Sequence, residues 1–283
     1  MNDRLLMKLL WLTDLHLDRV DENRRLAFCD SLKKNSADAV VITGDISTSE
    51  MLPGHLLELG RACAPRPVYF VLGNHDFIGS SFADVDRAVE RVCAAQNNLR
   101  HLGHGEIVSL GGEAALIGCR GWPDGRAGWG SRSVVKSPDC EGIADFRGLS
   151  KPAVFERMED LGKASARYFR ETLPYALQCY RHVWIATHVP PFTQAAFYDG
   201  KPCGRHHLPH CTKWSAGSAI QGIARNYPKN RITVLCGHTH SGAVVDIAEG
   251  LEVRAGSARP GRPMAQRSFE INSMTGAFQL QSR

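Results

Sequence analysis

Five short stretches of this chain carry side chains that hold metal ions or move protons: Asp14-Leu15-His16, Gly44-Asp45, Gly73-Asn74-His75-Asp76, His188, and Gly237-His238-Thr239-His240. Five of the twelve histidines fall in them. Taken singly, each has an ordinary conformational reading, because Asn and Asp favour turns and His often caps one. Together they offer carboxylate, amide and imidazole donors, a mixture that suits borderline divalent ions such as Mn, Fe, Co, Ni or Zn. No thiolate accompanies them, which argues against a structural zinc site. The candidate ligands are Asp14, His16, Asp45, Asn74, His188, His238 and His240. They exceed what one ion takes, whereas two ions sharing a bridging carboxylate use them all.

Something must bring five stretches to one place. Each follows an apolar run of strand character, at 9–13, 39–43, 68–72, 182–187 and 232–236. Strand, polar tip and amphipathic helix recur three times at the start of the chain, with helices expected over 19–34, 50–63 and 82–96. That is the pattern of a parallel sheet covered by helices, and ligands gather outside the carboxyl ends of such strands. In an extended chain residues i and i+2 face the same way, so Asp14 and His16, and likewise His238 and His240, are expected to point together. Paired glycines at Gly111-Gly112 predict a hairpin over 107–117. Periodicity fails over 121–152, and a helix over 153–177, broken near Pro174, follows. A second irregular segment, 192–214, precedes a short helix at 215–226. The tail reads as an antiparallel meander with strands near 243–247, 251–255, 267–271 and 277–281.

Length and composition fit one globular unit: 283 residues, 43% hydrophobic, with no repeat and no low-complexity segment. The net charge of +5 is compatible with an anionic substrate, but it does not supply the clustered basic face that nucleic acid needs. Nine cysteines, with no Cys-x-x-Cys pair, read as reduced and mostly buried thiols in a cytoplasmic protein. Arg4 and Lys8 interrupt the apolar start, which reads as a first strand rather than a signal peptide. No apolar stretch reaches the roughly 18 residues of a membrane span.

In order and spacing, the five stretches resemble the sequence blocks of the calcineurin-like metallophosphoesterase superfamily, over about residues 9–240. The resemblance implies a four-layer αββα sandwich of two mixed β-sheets flanked by helices, as one domain over 1–283. An insertion or lid at about 121–180 and a substrate-side loop at about 190–214 would lie over the site. The resemblance also implies two divalent ions, Mn, Fe or Zn in the first place and Co or Ni in the second. One would take Asp14, His16, Asp45 and His240, the other Asp45, Asn74, His188 and His238, with Asp45 as the bridge. The implied reaction is hydrolysis of a phosphodiester, small or nucleotide-like, by in-line attack of a hydroxide held between the ions. His75 would stabilise charge or protonate the leaving group, with Asp76 either orienting it or serving only as a turn carboxylate. In the protein phosphatases of the superfamily the bridging Asp is followed three and four residues later by an Asp and a phosphate-gripping Arg. This chain has Thr48 and Ser49 there, and Asp76 where those enzymes have Glu. A nuclease on nucleic-acid ends, a phosphomonoesterase and an inactive scaffold are the alternatives; a scaffold should lack ligands or the catalytic His, and this chain lacks none.

Several further residues have two readings. Arg126, Arg132, Lys201, Arg205, His206 and His207 either grip substrate anions or keep their loops solvated. Cys203, His206, His207, His210 and Cys211 form a cluster that either binds a further metal or belongs to a substrate-facing loop. Trp122, Trp129 and Trp214 either stack on a base or pack in the core.

Overall fold

β-branched and aliphatic runs alternate with amphipathic stretches, and in the computed structural model they become strands and helices in that order. Residues 6–137, 139–272 and 278–280 are described. The first half holds β1 (Leu6–Leu12), α1 (Glu22–Lys34), β2 (Ala39–Thr43), α2 (Leu52–Cys63), β3 (Val68–Val71), α3 (Phe82–Ala95), β4 (Leu99–His101), β5 (Val108–Ser109) and β6 (Ala114–Gly118). The short α4 (Asp139–Gly142) and the long α5 (Lys151–Cys179) follow, then β7 (His182–Ala186), β8 (Phe197–Tyr198), β9 (Lys201–Pro202), α6 (Leu208–Cys211) and α7 (Trp214–Ala224). The chain closes with β10 (Arg231–Cys236), β11 (Ala243–Ala248), β12 (Leu251–Ala255), β13 (Ala265–Asn272) and β14 (Phe278–Leu280).

Two six-stranded sheets result, in the orders β14-β13-β1-β2-β3-β4 and β11-β12-β10-β7-β6-β5. In each, four adjacent strands run parallel and the others pair antiparallel. Three apolar layers separate four layers of structure. Leu9, Trp11 and Val41 of the first sheet meet Leu116, Trp184 and Leu235 of the second, forming the middle core. The other face of the first sheet packs on α1, α2 and α3, and that of the second on α5 and α7. The expected sandwich of two mixed sheets is therefore the observed fold. Strands buried on both faces explain why these runs read as continuously apolar rather than alternating.

Two expectations need correction. Helix α5 continues through Pro174 to Cys179, because Phe169, Leu173, Ala176 and Leu177 are all buried against the second sheet and hold the turn together despite the missing N–H. Those contacts place the helix in the outer layer of the fold, against the second sheet. The tail is not one meander. β11 and β12 join the second sheet, where β12 runs parallel to β10, whereas β13 crosses back to pair antiparallel with β1. Of the expected last strand, residues 277 and 281 lie outside the described residues, as do residues 1–5 of the apolar start. Among the described residues no helix is long and apolar enough to cross a membrane.

Candidate metal centre

The strands stop short of the polar residues, and the chain turns sharply at each. Asp14, His16, Asp45, His238 and His240 all have positive φ, between 41° and 71°. Among the described non-glycine residues only Asp199 shares this. The left-handed region costs an L-residue ~1–2 kcal/mol, and such strain collects where function demands it. The extended i, i+2 geometry expected for Asp14–His16 and His238–His240 is thus replaced by left-handed turns that aim the same side chains inward. The neighbouring glycines make room for them. A Cβ on Gly73 would stand 2.2 Å from Asp45 Oδ1, and one on Gly237 2.0 Å from Asp14 Oδ2.

Two groups of ligand atoms result, each within 4.8 Å of one another: Asp14, His16, Asp45 and His240, and Asp45, His188 and His238. Asp45 belongs to both. Asn74 joins the second group, its Oδ1 2.9 Å from His238 Nδ1. Proton positions follow from the outer contacts. The His188 Nδ1–H donates to the Thr43 carbonyl at 2.8 Å, so its Nε2 presents a lone pair 3.2 Å from Asp45 Oδ1. The His238 Nε2–H donates to the His210 carbonyl at 2.8 Å, leaving Nδ1 as a lone pair facing Asn74 Oδ1. The amide orientation is fixed in turn, since Asn74 Nδ2 donates to Asp139 at 2.8 Å. Acceptors thus face acceptors, and the buried His188 Nε2 has no hydrogen-bond partner. A cation between them resolves both conflicts, and outer hydrogen bonds that set the tautomer are usual around metal-binding histidines. The donor set fits two divalent ions.

The titration of the cluster points the same way. Burial alone would push its carboxyls up. For Asp45, the charge and hydrogen bond of His188, with His75 and His16, outweigh burial and hold it well below the usual carboxylate range. Asp14 is lowered against its burial by His240 and His188. Burial also opposes the charging of His188, yet Asp45 and Asp14 carry it up to about 9. His238 is pushed down to about 4 by burial and by the charge on His188. Positive charge is therefore favoured between His188 Nε2 and Asp45, where a metal ion would take the place of a proton.

His75 stands at the edge of this cluster, its ring 4.7 Å from that of His16. Two residues that the motifs do not announce hold it. Arg19 Nη2 lies 3.4 Å from His75 Nδ1, and Asp139 Oδ1 lies 3.7 Å from His75 Nε2. Arginine only donates, so Nδ1 accepts and the imidazole proton sits on Nε2. Asp76, expected beside His75, turns the other way. Its carboxylate is fully buried and accepts from the backbone N–H groups of Ile46, Ser47 and Gly73 at 2.8–2.9 Å. It ties the second and third motifs together through those backbone bonds, the geometry of a turn carboxylate, which was one of its two readings.

The six peripheral residues do not converge on the cluster. Arg132 and Arg205 lie over the Trp129 ring, 5.2 and 5.8 Å from its centroid, and His206 stacks on it at 6.0 Å. Arg126 lies over Trp214 at 5.3 Å. Lys201 is exposed on β9 and His207 caps α6. Among the described residues none of them makes a hydrogen bond, ion pair or ring contact with the seven candidate ligands. The three arginine cations are engaged by tryptophan faces, and Arg19 stands beside His75. The 203–211 cluster likewise brings no three ligand atoms together; among the described residues only the two groups above do so. Trp122 is core, stacked on Phe146 at 5.1 Å. All nine cysteines are free, but only Cys29, Cys63, Cys119 and Cys236 are fully buried, fewer than expected.

The sequence profile of calcineurin-like phosphoesterases matches residues 7–242, which holds every residue of the cluster. The chain belongs to the calcineurin-like phosphoesterase family. Members of this family are metal-dependent phosphoesterases, and a hydrolase with a dinuclear divalent-metal centre is what the two ligand groups describe. Solved structures agree at the level of fold. A dimetal phosphatase from Danio rerio superposes with a TM-score of 0.60 at 13% identity, covering 93% of this chain and 92% of that one. The protein TT1561 of Thermus thermophilus superposes with a TM-score of 0.53 at 12% identity, covering 98% of each chain. No curated protein sequence is detectably similar.

Proposed function

We propose that the chain is a dinuclear metal-dependent phosphodiesterase acting on a small or nucleotide-like diester. One ion would be held by Asp14, His16, Asp45 and His240, the other by Asp45, Asn74, His188 and His238. When bound, such a pair neutralises phosphate charge and lowers the pKa of water at neutral pH. The chain's own residues do the rest. Arg19 holds His75 as the Nε2–H tautomer, which donates a hydrogen bond to charge developing on the phosphate or the leaving oxygen; transfer of a proton would need His75 charged. Asn74 Nδ2 donates into the same space, and Asp76 keeps Asp45 and Asn74 in register through the backbone of both loops.

The observation that carries the diester reading is the Asp139 carboxylate, on Asn74 Nδ2 at 2.8 Å and facing His75 Nε2. A phosphate seated there meets a fixed negative charge. A diester carries one charge at neutral pH, whereas a monoester carries nearly two, so Asp139 repels the monoester more. Asp139→Asn should therefore raise kcat/KM for a monoester relative to a matched diester by about 10-fold, or ~1.4 kcal/mol, between the water and protein-surface values for charges ~4 Å apart. Matched p-nitrophenyl esters read this ratio directly; an unchanged ratio removes Asp139 from substrate selection. Mn, Fe or Zn are the metals proposed. The free cysteines favour a reducing, cytoplasmic setting.

A further inference from the structure

A cavity of about 490 Å³ opens beside the ligand cluster, a size usual for small-molecule sites. Its walls are largely apolar, with Phe146, Leu149, Val154 and Phe155 contributing most of them. One buried polar side chain interrupts them. His210 is 9% exposed, and its imidazole, which meets the Val135 backbone on one side, keeps a buried ring nitrogen without a hydrogen-bond partner. Phe155 meets its ring edge-on at 5.7 Å. An imidazole carries a donor and an acceptor, or two donors when charged, and buried polar groups left unpaired are uncommon enough to require a reason.

The cavity and the metal cluster share two supports. The His210 carbonyl accepts from the candidate ligand His238, while the ring of the same residue lines the cavity. Asp139 reaches Asn74, while its neighbours Ser137 and Cys140 line the cavity. Lys136, Arg147 and Lys151 stand at the lining as cations and Glu141 as an anion, all four exposed. An organic group in the cavity would thus be one short segment away from a phosphate at Asn74 and His75.

We propose that this cavity receives the organic group esterified to the phosphate, and that the group is a flat heteroaromatic ring such as a nucleobase. The proposal rests on the phosphodiesterase reading above. An alkyl chain would cover the apolar walls but leave a buried His210 nitrogen unpaired. A heteroaromatic ring presents apolar faces to the phenylalanines and an edge of ring nitrogens and carbonyls to the imidazole, so it satisfies both.

The test compares thymidine 5′-(p-nitrophenyl phosphate) and adenosine 5′-(p-nitrophenyl phosphate) with methyl p-nitrophenyl phosphate, which share a leaving group. The metal-loaded wild type should prefer at least one nucleoside ester by kcat/KM about 10-fold or more, and Val154→Trp, which fills the cavity, or His210→Phe, which removes the nitrogens but keeps a ring, should bring that ratio down about 10-fold. In parallel, saturation-transfer NMR on metal-free protein should show adenosine or thymidine in contact with the wild type and not with Val154→Trp. Cleavage of all three esters without preference, with no saturation of either nucleoside, overturns the cavity assignment. Nucleoside contact without cleavage of any ester supports the cavity and counts against the phosphodiesterase reading instead. Absence of both overturns both.

Discussion

Asp45→Asn is expected to bind fewer than two equivalents of metal and to lose about 10³-fold in kcat, the ~4 kcal/mol scale of transition-state charge stabilisation by bound cations. The reason is its place in both ligand groups. One carboxylate oxygen lies 3.2 Å from His188 Nε2 and the other 3.7 Å from His16 Nε2, so the two sites meet on this side chain. Asparagine keeps an oxygen that can accept from the His75 backbone N–H, which Asp45 Oδ1 does at 2.9 Å. It loses the charge that binds a cation on either side. Metal content by plasma emission and kcat on a diester check both halves. Two full equivalents with an undiminished rate would remove Asp45 as the bridge.

His75→Ala should behave differently. His75 lies at the edge of the cluster and outside both ligand groups, so two equivalents of metal should remain. Turnover should fall by roughly 10²–10⁴, the contribution of a positioned acid or base. The loss should depend on the leaving group. An alkoxide builds up negative charge as it departs and gains from the His75 Nε2–H, as a hydrogen-bond donor or, once the imidazole is charged, as a proton donor; p-nitrophenolate leaves without such help. A series of diesters with leaving groups of rising basicity should show a steeper fall in the variant than in the wild type. Parallel lines would show that His75 donates no proton.

The ligand set was legible in the sequence because each member sits at the end of an apolar strand, and strand order alone brings those ends together. The conformations were not. Asp14, His16, Asp45, His238 and His240 occupy the left-handed region, which no propensity of Asp or His requires; the packing of one loop on the next imposes it. Asp14 N bonds to Gly44 O and His16 N to Asp45 O, holding the first motif against the second. Arg19 and Asp139 were illegible for a plainer reason. Their contacts with His75 and Asn74 span 56 and 65 residues, and Asp139 lies in a stretch without periodicity. For Asp76 the sequence left two readings open, because adjacency to His75 does not say which way the backbone turns between them. The tail failed because a run of strands carries no mark of which sheet each one joins.

The central claim is a metal-dependent phosphodiesterase, and one measurement meets it directly. Protein stripped with chelator is assayed on bis-p-nitrophenyl phosphate and p-nitrophenyl phosphate side by side, before and after adding Mn²⁺, Fe²⁺, Zn²⁺ or Mg²⁺. Hydrolysis is expected to be absent without metal and to return mainly on the diester once about two equivalents are bound. Restored activity confined to the monoester, or no hydrolysis of either with both sites filled, would contradict it.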